Sequence, residues 1–142
     1  MVLLRLFIVI FTGIVLNACT TPDVPDRPSY FTIEGDVNDV KQAVVAAFTN
    51  RQFQIVSDSQ FQIIFDQQQI DPMISLLHGS SFSPNPNGRV VMIFIDDNPT
   101  KIQTRTKLVI NPGTGFEIVK DWEDKVFKNR IYLGIQEAIL KL

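Results

Sequence analysis

Four short β-rich runs in the middle of the chain constrain its fold more than any other feature. They form two pairs, residues 53–56 with 61–65 and residues 89–96 with 102–110. Turn-forming residues join the two members of each pair, and this arrangement predicts two antiparallel hairpins. Helical patterns lie on both sides of the runs, and this order of elements is typical of an α+β domain.

Two segments show the three- and four-residue spacing of apolar side chains that marks one face of a helix. The first covers about residues 37–50, with Asp36 as its N-cap. The second covers about residues 121–142, and its acidic first turn suits the positive end of the helix dipole. Residues 30–33 fit either a short edge strand or a packed lead-in. We therefore predict an antiparallel four-stranded sheet with the N-terminal and C-terminal helices on one face, in the order α-β-β-(loop or short helix)-β-β-α.

The predicted sheet has a second face, because side chains alternate between the two faces of a strand. The side chains that we expect toward the helices are Phe53, Ile55, Phe61, Ile63, Phe65, Val91, Ile93, Ile95, Leu108 and Ile110. The second face then combines apolar with basic side chains, and large exposed apolar patches mark interaction sites. The candidate partner-binding residues on and beside this face are Met92, Phe94, Arg105, Lys107, Ser81 and Phe82.

The segment between the hairpins, residues 66–88, fits two interpretations. Pro72 marks a helix start, and residues 73–77 can form one or two apolar turns. Long irregular segments inside a compact domain are either functional or disordered. The segment is therefore either part of a docking surface or a lid that closes the second sheet face with the side chains of Leu76, Leu77 and Phe82.

The N-terminal segment predicts where the protein works. Arg5 precedes an apolar run, residues 6–16. The last residue of the run begins the sequence Leu16-Asn17-Ala18-Cys19. This arrangement resembles the signal peptide and lipobox of bacterial lipoproteins. The resemblance implies cleavage before Cys19, which then carries a diacylglycerol on its sulfur. An uncleaved signal anchor is the alternative, although residues 2–18 are short for a spanning helix of about 20 residues.

The resemblance also implies a domain organisation and a location. Residues 1–18 are the signal peptide, residues 19–29 are the lipidated cysteine with a proline-rich tether, and residues 30–142 are a single α+β domain. Thr20 follows the lipidated cysteine, and by the sorting rules of enteric-type bacteria this favours the outer membrane, facing the periplasm. Residues 79–122 are similar to small uncharacterised bacterial lipoproteins, and this similarity implies no activity.

Charge and side-chain types argue against several classes of function. The formal net charge is −2, without the basic stripe of a nucleic-acid binder. His78 is the only histidine and Cys19 the only cysteine, so we expect neither a multi-histidine metal site nor a disulfide. The sequence contains no nucleophile elbow and no phosphate-binding glycine loop. We therefore expect no enzyme, no catalytic residue, no cofactor and no metal.

Two functional hypotheses follow, from different classes. In the first, the protein is a non-enzymatic accessory or protein-binding module in the periplasm. It is anchored in the lipid bilayer through acylated Cys19 and binds an envelope protein. In the second, the protein is a periplasm-facing carrier or sensor of a small apolar ligand held between the sheet and residues 73–82. Ligand pockets are mostly apolar, as that segment is.

Overall fold

The computed structural model describes residues 26–68, 72–78, 84–95 and 98–142. The predicted signal peptide and Cys19 lie outside these residues. In chain order the described elements are β1 (Tyr30–Ile33), α1 (Val37–Asn50), β2 (Gln54–Asp58), β3 (Gln62–Gln67), α2 (Pro72–His78), β4 (Asn87–Ile95), β5 (Thr100–Ile110), β6 (Ile118–Asp121) and α3 (Lys125–Ile139). The predicted α+β class is confirmed. None of the helices in these residues combines the length and apolar character that crossing a bilayer requires.

The six described strands form one antiparallel sheet. Its order is β1-β5-β4-β3-β2, and β6 also pairs with β5. β1 pairs with the first residues of β5, from Ile33 opposite Thr100 to Tyr30 opposite Gln103. β6 pairs with residues 107–110 of β5. The two short strands therefore lie one after the other along the same edge of β5.

The prediction of four strands is wrong by two. The four predicted strands are β2 to β5, and the sheet gains β1 and β6 at one edge. The sequence pattern assigns Asp121 to the first turn of the last helix, because acidic residues are common there. In the structure Asp121 ends β6, and the N-cap of α3 is Asp124, whose Oδ1 accepts a hydrogen bond from the backbone N–H of Phe127 at 2.7 Å.

The two long helices pack together and form one core with inward side chains of the sheet. Asp36 caps α1 as predicted, since its side chain accepts a hydrogen bond from the backbone N–H of Asn38. Gly134 of α3 lies against the ring of Phe48, which is fully buried. The apolar side chains that the two helices bury are Val40, Val44, Ala47, Phe48, Phe127, Ile131, Ile135 and Ala138.

The orientation of β4 is the opposite of the predicted one. Met92 and Phe94 are 0% and 1% exposed, and they lie in the core. Their partners across the β4–β5 ladder are Thr104 and Ile102, which are also buried. Met92 and Phe94 are therefore not partner-binding residues. The side chains expected in the core that the structure exposes instead are Ile55, Phe61 and Ile95.

Strand register explains this correction. Residues 89–96 are apolar at nearly every position, so either alternate set of side chains suits a core. In β5, Gln103 and Arg105 alternate with apolar side chains and threonines, and only one set suits the core. The register places Val91 opposite Arg105 and Ile93 opposite Gln103. Because residues opposite one another share a face of the sheet, these β4 side chains point away from the helices with their polar partners.

The chain contacts the domain before β1 begins. The guanidinium carbon of Arg27 lies 4.1 Å from the ring centroid of Tyr132, and Arg27 Nε donates a hydrogen bond to Asn129 Oδ1 at 2.9 Å. The carbonyl oxygen of Ser29 accepts a hydrogen bond from the backbone N–H of Thr104 at 2.8 Å. The segment that leads into the domain is thus attached both to α3 and to the middle of β5.

Candidate functional site

The sheet surface opposite the helices combines an apolar row with a basic row. On β4, Val91 and Ile93 are half-buried and Ile95 is exposed, whereas Lys101 and Arg105 of β5 are exposed beside them. The two rows are adjacent because β4 and β5 are paired over their length. We call this surface the open face. Its residues are Ile64, Val91, Ile93, Ile95, Lys101, Gln103, Arg105 and Lys107.

The basic row retains positive charge although an acidic side chain lies next to it. Lys107 Nζ is 2.8 Å from Asp121 Oδ1 of the neighbouring strand. This hydrogen bond, together with the positive charges of Lys107 and Arg105, lowers the pKa of Asp121. One carboxylate thus faces two cations, so this part of the open face offers positive charge to a partner.

A second group of charged side chains lies where β3 ends and β4 begins. Asp66 is opposite Arg89 in the ladder. Arg89 Nε donates to Asp66 Oδ1 at 2.6 Å and an Nη donates to Asp66 Oδ2 at 2.9 Å, which is the two-bond geometry of a strong guanidinium–carboxylate pair. The other Nη lies 3.4 Å from Glu117 Oε1. We call Asp66, Arg89 and Glu117 the Arg89 cluster.

The Asp66–Arg89 pair of the cluster is largely shielded from solvent, whereas Glu117 is exposed. The side chains of Arg89 and Asp66 are 16% and 7% exposed. The hydrogen bond to Asp66 outweighs the effect of burial and raises the pKa of Arg89, so the guanidinium stays charged. Glu117 Oε2 also accepts a hydrogen bond from the backbone N–H of Gly113 at 3.0 Å, which ties the loop between β5 and β6 to the cluster.

A cavity of about 620 Å³ opens beside the Arg89 cluster. We call it the Arg89 cavity. Its wall is about equally polar and apolar, with three charged residues and several carboxamide residues beside two prolines, a valine and a glycine. The residues that line it are Val56, Asp66, Gln68, Pro84, Asn85, Asn87, Arg89, Pro112, Gly113 and Glu117.

The structure brings together only part of the predicted partner-binding surface. Arg105 and Lys107 lie on the open face, as expected for that face of β5. Met92 and Phe94 lie in the core instead. The remaining candidates, Ser81 and Phe82, lie outside the described residues.

The short helix α2 does not cover the sheet with the side chains that the lid interpretation assigned to it. Leu76 is 77% exposed, and Met73 and Leu77 are also exposed. Phe82, the third side chain of that interpretation, lies outside the described residues. His78 is half-buried at the C-terminal end of this helix.

The Arg89 cluster is absent from the predicted site residues, although strand register is a signal that could identify part of it. Once Ile64 is paired with Val91, Asp66 must lie opposite Arg89. Glu117 has no comparable signal, because it belongs to the hairpin of β6, a strand that the sequence pattern does not predict.

Neither a metal site nor a similarity to known proteins assigns a role to the residues of the open face and the Arg89 cavity. Within the four described segments, no group of three His, Cys, Asp or Glu side chains is placed to hold a metal ion. No family model matches the chain, and no curated protein matches it in sequence. Roles for the open face and the Arg89 cavity therefore follow from their own geometry and charge.

Proposed function

We propose that this chain is a lipid-anchored lipoprotein of the bacterial cell envelope that binds a protein partner through its open face. The observation that carries this proposal is the apolar row of β4 beside the basic row of β5 on one accessible sheet surface. The protein acts as an accessory module in the periplasm. It is not an enzyme, and it uses no cofactor.

The N-terminal sequence supports the anchor. Leu16, Ala18 and Cys19 match the lipobox pattern after an apolar run. Several acyl chains on one cysteine hold a protein firmly, at about 0.8 kcal/mol for each buried methylene. The sequence between Cys19 and Arg27 is rich in proline, and a chain of that length would span about 25 Å if it were extended as polyproline II. Because Arg27 contacts α3, the tether keeps the domain within about this distance of the lipid, in the outer membrane if Thr20 directs sorting.

The chemistry of the open face defines the partner. Val91 and Ile93 lie half-buried on the open face, with Arg105 and Lys107 beside them. A protein with an apolar patch bordered by aspartate or glutamate complements this arrangement in polarity and charge. A bilayer suits it less well, because membrane binding requires apolar side chains that project into the acyl region. The proposed partner is therefore an acidic protein of the envelope.

The alternative of an apolar-ligand carrier has no support from the described residues. Met73, Leu76 and Leu77, three apolar side chains of α2, are exposed, and none of them lines the Arg89 cavity. The wall of the Arg89 cavity contains three charged residues and several carboxamide residues. A cavity for an apolar molecule requires an apolar lining with few polar groups.

In-cell photocrosslinking of the full chain tests the proposed function. A photoreactive residue is placed singly at Ile95 on the open face and at Gln42, an exposed position of α1. We expect a discrete protein adduct from Ile95 and none from Gln42. Arg105→Glu should lower the adduct yield at Ile95 by about tenfold, since reversing one charge at a complementary interface costs on the order of 1–2 kcal/mol.

The matched control is Lys125→Glu, which makes the same charge change at an exposed position of α3. It should leave the adduct at Ile95 unchanged. Equal adducts from Ile95 and Gln42, or only lipid adducts at Ile95, would contradict a protein-binding open face. An adduct insensitive to Arg105→Glu would contradict the acidic partner.

A further inference from the structure

The Arg89 cavity has the size and the construction of a ligand site. Small-molecule sites usually have volumes of about 300–1,000 Å³, and this cavity, at about 620 Å³, falls within that range. Asp66 and Arg89 belong to paired strands, so the sheet fixes their backbone positions. A site on strands holds its side chains more precisely than a site made only of loops.

The charges in the cavity disfavour an ionic ligand. The guanidinium of Arg89 already lies between the carboxylates of Asp66 and Glu117. An incoming anion would be repelled by two carboxylates, and an incoming cation would be repelled by the guanidinium. The cluster carries a net charge of about −1, and the two shielded groups, Asp66 and Arg89, neutralise one another. The cavity therefore suits a neutral ligand.

Three carboxamides give the wall both donors and acceptors. The side chains of Gln68, Asn85 and Asn87 line the cavity. In the described part of the chain, no other residue forms a hydrogen bond with these three side chains. Each carboxamide offers two N–H donors and one carbonyl acceptor. Arg89 also has N–H groups that its two carboxylate partners leave available, because a guanidinium has five.

A ligand that uses such a wall must itself donate and accept at several closely spaced positions. Hydroxyl groups do both, since each carries one donor and two acceptor lone pairs. The apolar atoms of Val56, Pro84 and Pro112 suit the C–H surface of a saturated ring. We propose that the Arg89 cavity, where the Asp66–Arg89–Glu117 cluster meets the carboxamides of Gln68, Asn85 and Asn87, binds a neutral saccharide. Arg89 lies opposite Lys107 and two residues before Val91, so this site adjoins the open face and lies at the end of that face away from Ile95.

Two-dimensional NMR of the full chain in a phosphocholine detergent tests the proposal, because a sugar-based detergent would compete for the site. The probes are cellobiose, maltose and diacetylchitobiose, each added up to about 50 mM, which saturates a site of millimolar affinity. We expect at least one probe to shift the side-chain amide signals of Asn85 and Asn87 along saturable curves. A tetrasaccharide of the same sugar distinguishes a free disaccharide from part of a longer glycan, because only a glycan site gains affinity with chain length.

Asn85→Ala should weaken the best disaccharide at least about fivefold, the effect of one lost hydrogen bond. Asn50→Ala, at an exposed position of α1, is the matched control and should change the affinity less than about twofold. The proposal is overturned if no disaccharide shifts these signals, or if Asn85→Ala leaves the affinity unchanged. It is also overturned if putrescine, phosphate or triglycine saturates the site while the disaccharides do not. None of these results depends on the lipid anchor or on a protein partner.

Discussion

Gly134→Ala tests the closest approach of the two long helices. An added Cβ would lie 2.7 Å from Phe48 Cε2 and 2.9 Å from Phe48 Cζ, far inside normal contact distance. The ring of Phe48 cannot simply move away, because it is fully buried and its centroid lies 4.9 Å from that of Phe53 and 5.1 Å from that of Phe65. One methyl group should therefore force the helices apart or strain the aromatic packing.

Two opposing effects determine how much Gly134→Ala changes the free energy of unfolding. Overpacking a well-packed core costs about 1–3 kcal/mol. Replacing glycine by alanine inside a helix returns about 1 kcal/mol through helix propensity. We expect a net loss of up to about 2 kcal/mol in the free energy of unfolding. For a domain of this size the midpoint of thermal unfolding should fall by up to about 8 °C.

Urea unfolding followed by circular dichroism measures this loss, with an unchanged m-value as the sign that the transition itself is the same. A double-mutant cycle isolates the cause, because Phe48→Leu removes the ring atoms that the new Cβ would meet. In that background Gly134→Ala should stabilise the protein by up to about 1 kcal/mol, the propensity effect alone. If Gly134→Ala stabilises the protein that retains Phe48, the helix contact is not as close as described and the reasoning is refuted.

Two further predictions concern charged groups. Arg89→Met should lower the free energy of unfolding by about 3 kcal/mol because it leaves the shielded carboxylate of Asp66 without its partner, whereas Asp66→Leu combined with Arg89→Met should recover most of that loss in the same urea assay. If Arg89→Met left the free energy of unfolding unchanged, the carboxylate of Asp66 would not be shielded as described. The hydrogen bond from Lys141 Nζ, assisted by Arg51, lowers the pKa of Glu137 in the folded state. The folded state therefore binds fewer protons, and this stabilisation is present above pH 4.5, the ordinary pKa, and is lost as the pH falls below it. Unfolding of Glu137→Gln should depend less on pH than that of the unsubstituted chain from about pH 5 to about pH 3, and parallel curves would contradict it.

The helices are predictable because a single periodicity determines their buried face. The spacing of Val40, Val44, Ala47 and Phe48 identifies the inward face of α1, and the structure buries all four. Asp36 also identifies the start of that helix, because a carboxylate before an apolar stripe has one favourable role. Residues close together in the sequence are therefore sufficient to predict both the buried face and the start of α1.

The candidate site is less predictable because it depends on contacts between strands. The apolar run that contains Met92 and Phe94 fits either orientation, and only its register with β5 selects one. Asp66 and Arg89 are far apart in sequence and become a pair only when β3 and β4 are aligned. Glu117 reaches them through the β5–β6 hairpin. Register is a long-range property, and alternation within one strand does not specify it.

The edges of the sheet affect how copies of this protein interact when they are crowded together. β1 and β6 have four residues each, and the ladder of β2 is interrupted between Ile55 and Ser57. At the end of β2, Asp58 forms an ion pair with Lys41 at 2.6 Å. Short, interrupted and charged edges are poor templates for adding a strand from another molecule. Copies that the proposed lipid anchor would concentrate in the plane of a membrane could therefore collide edge to edge without polymerising, which would leave the open face free for reversible binding.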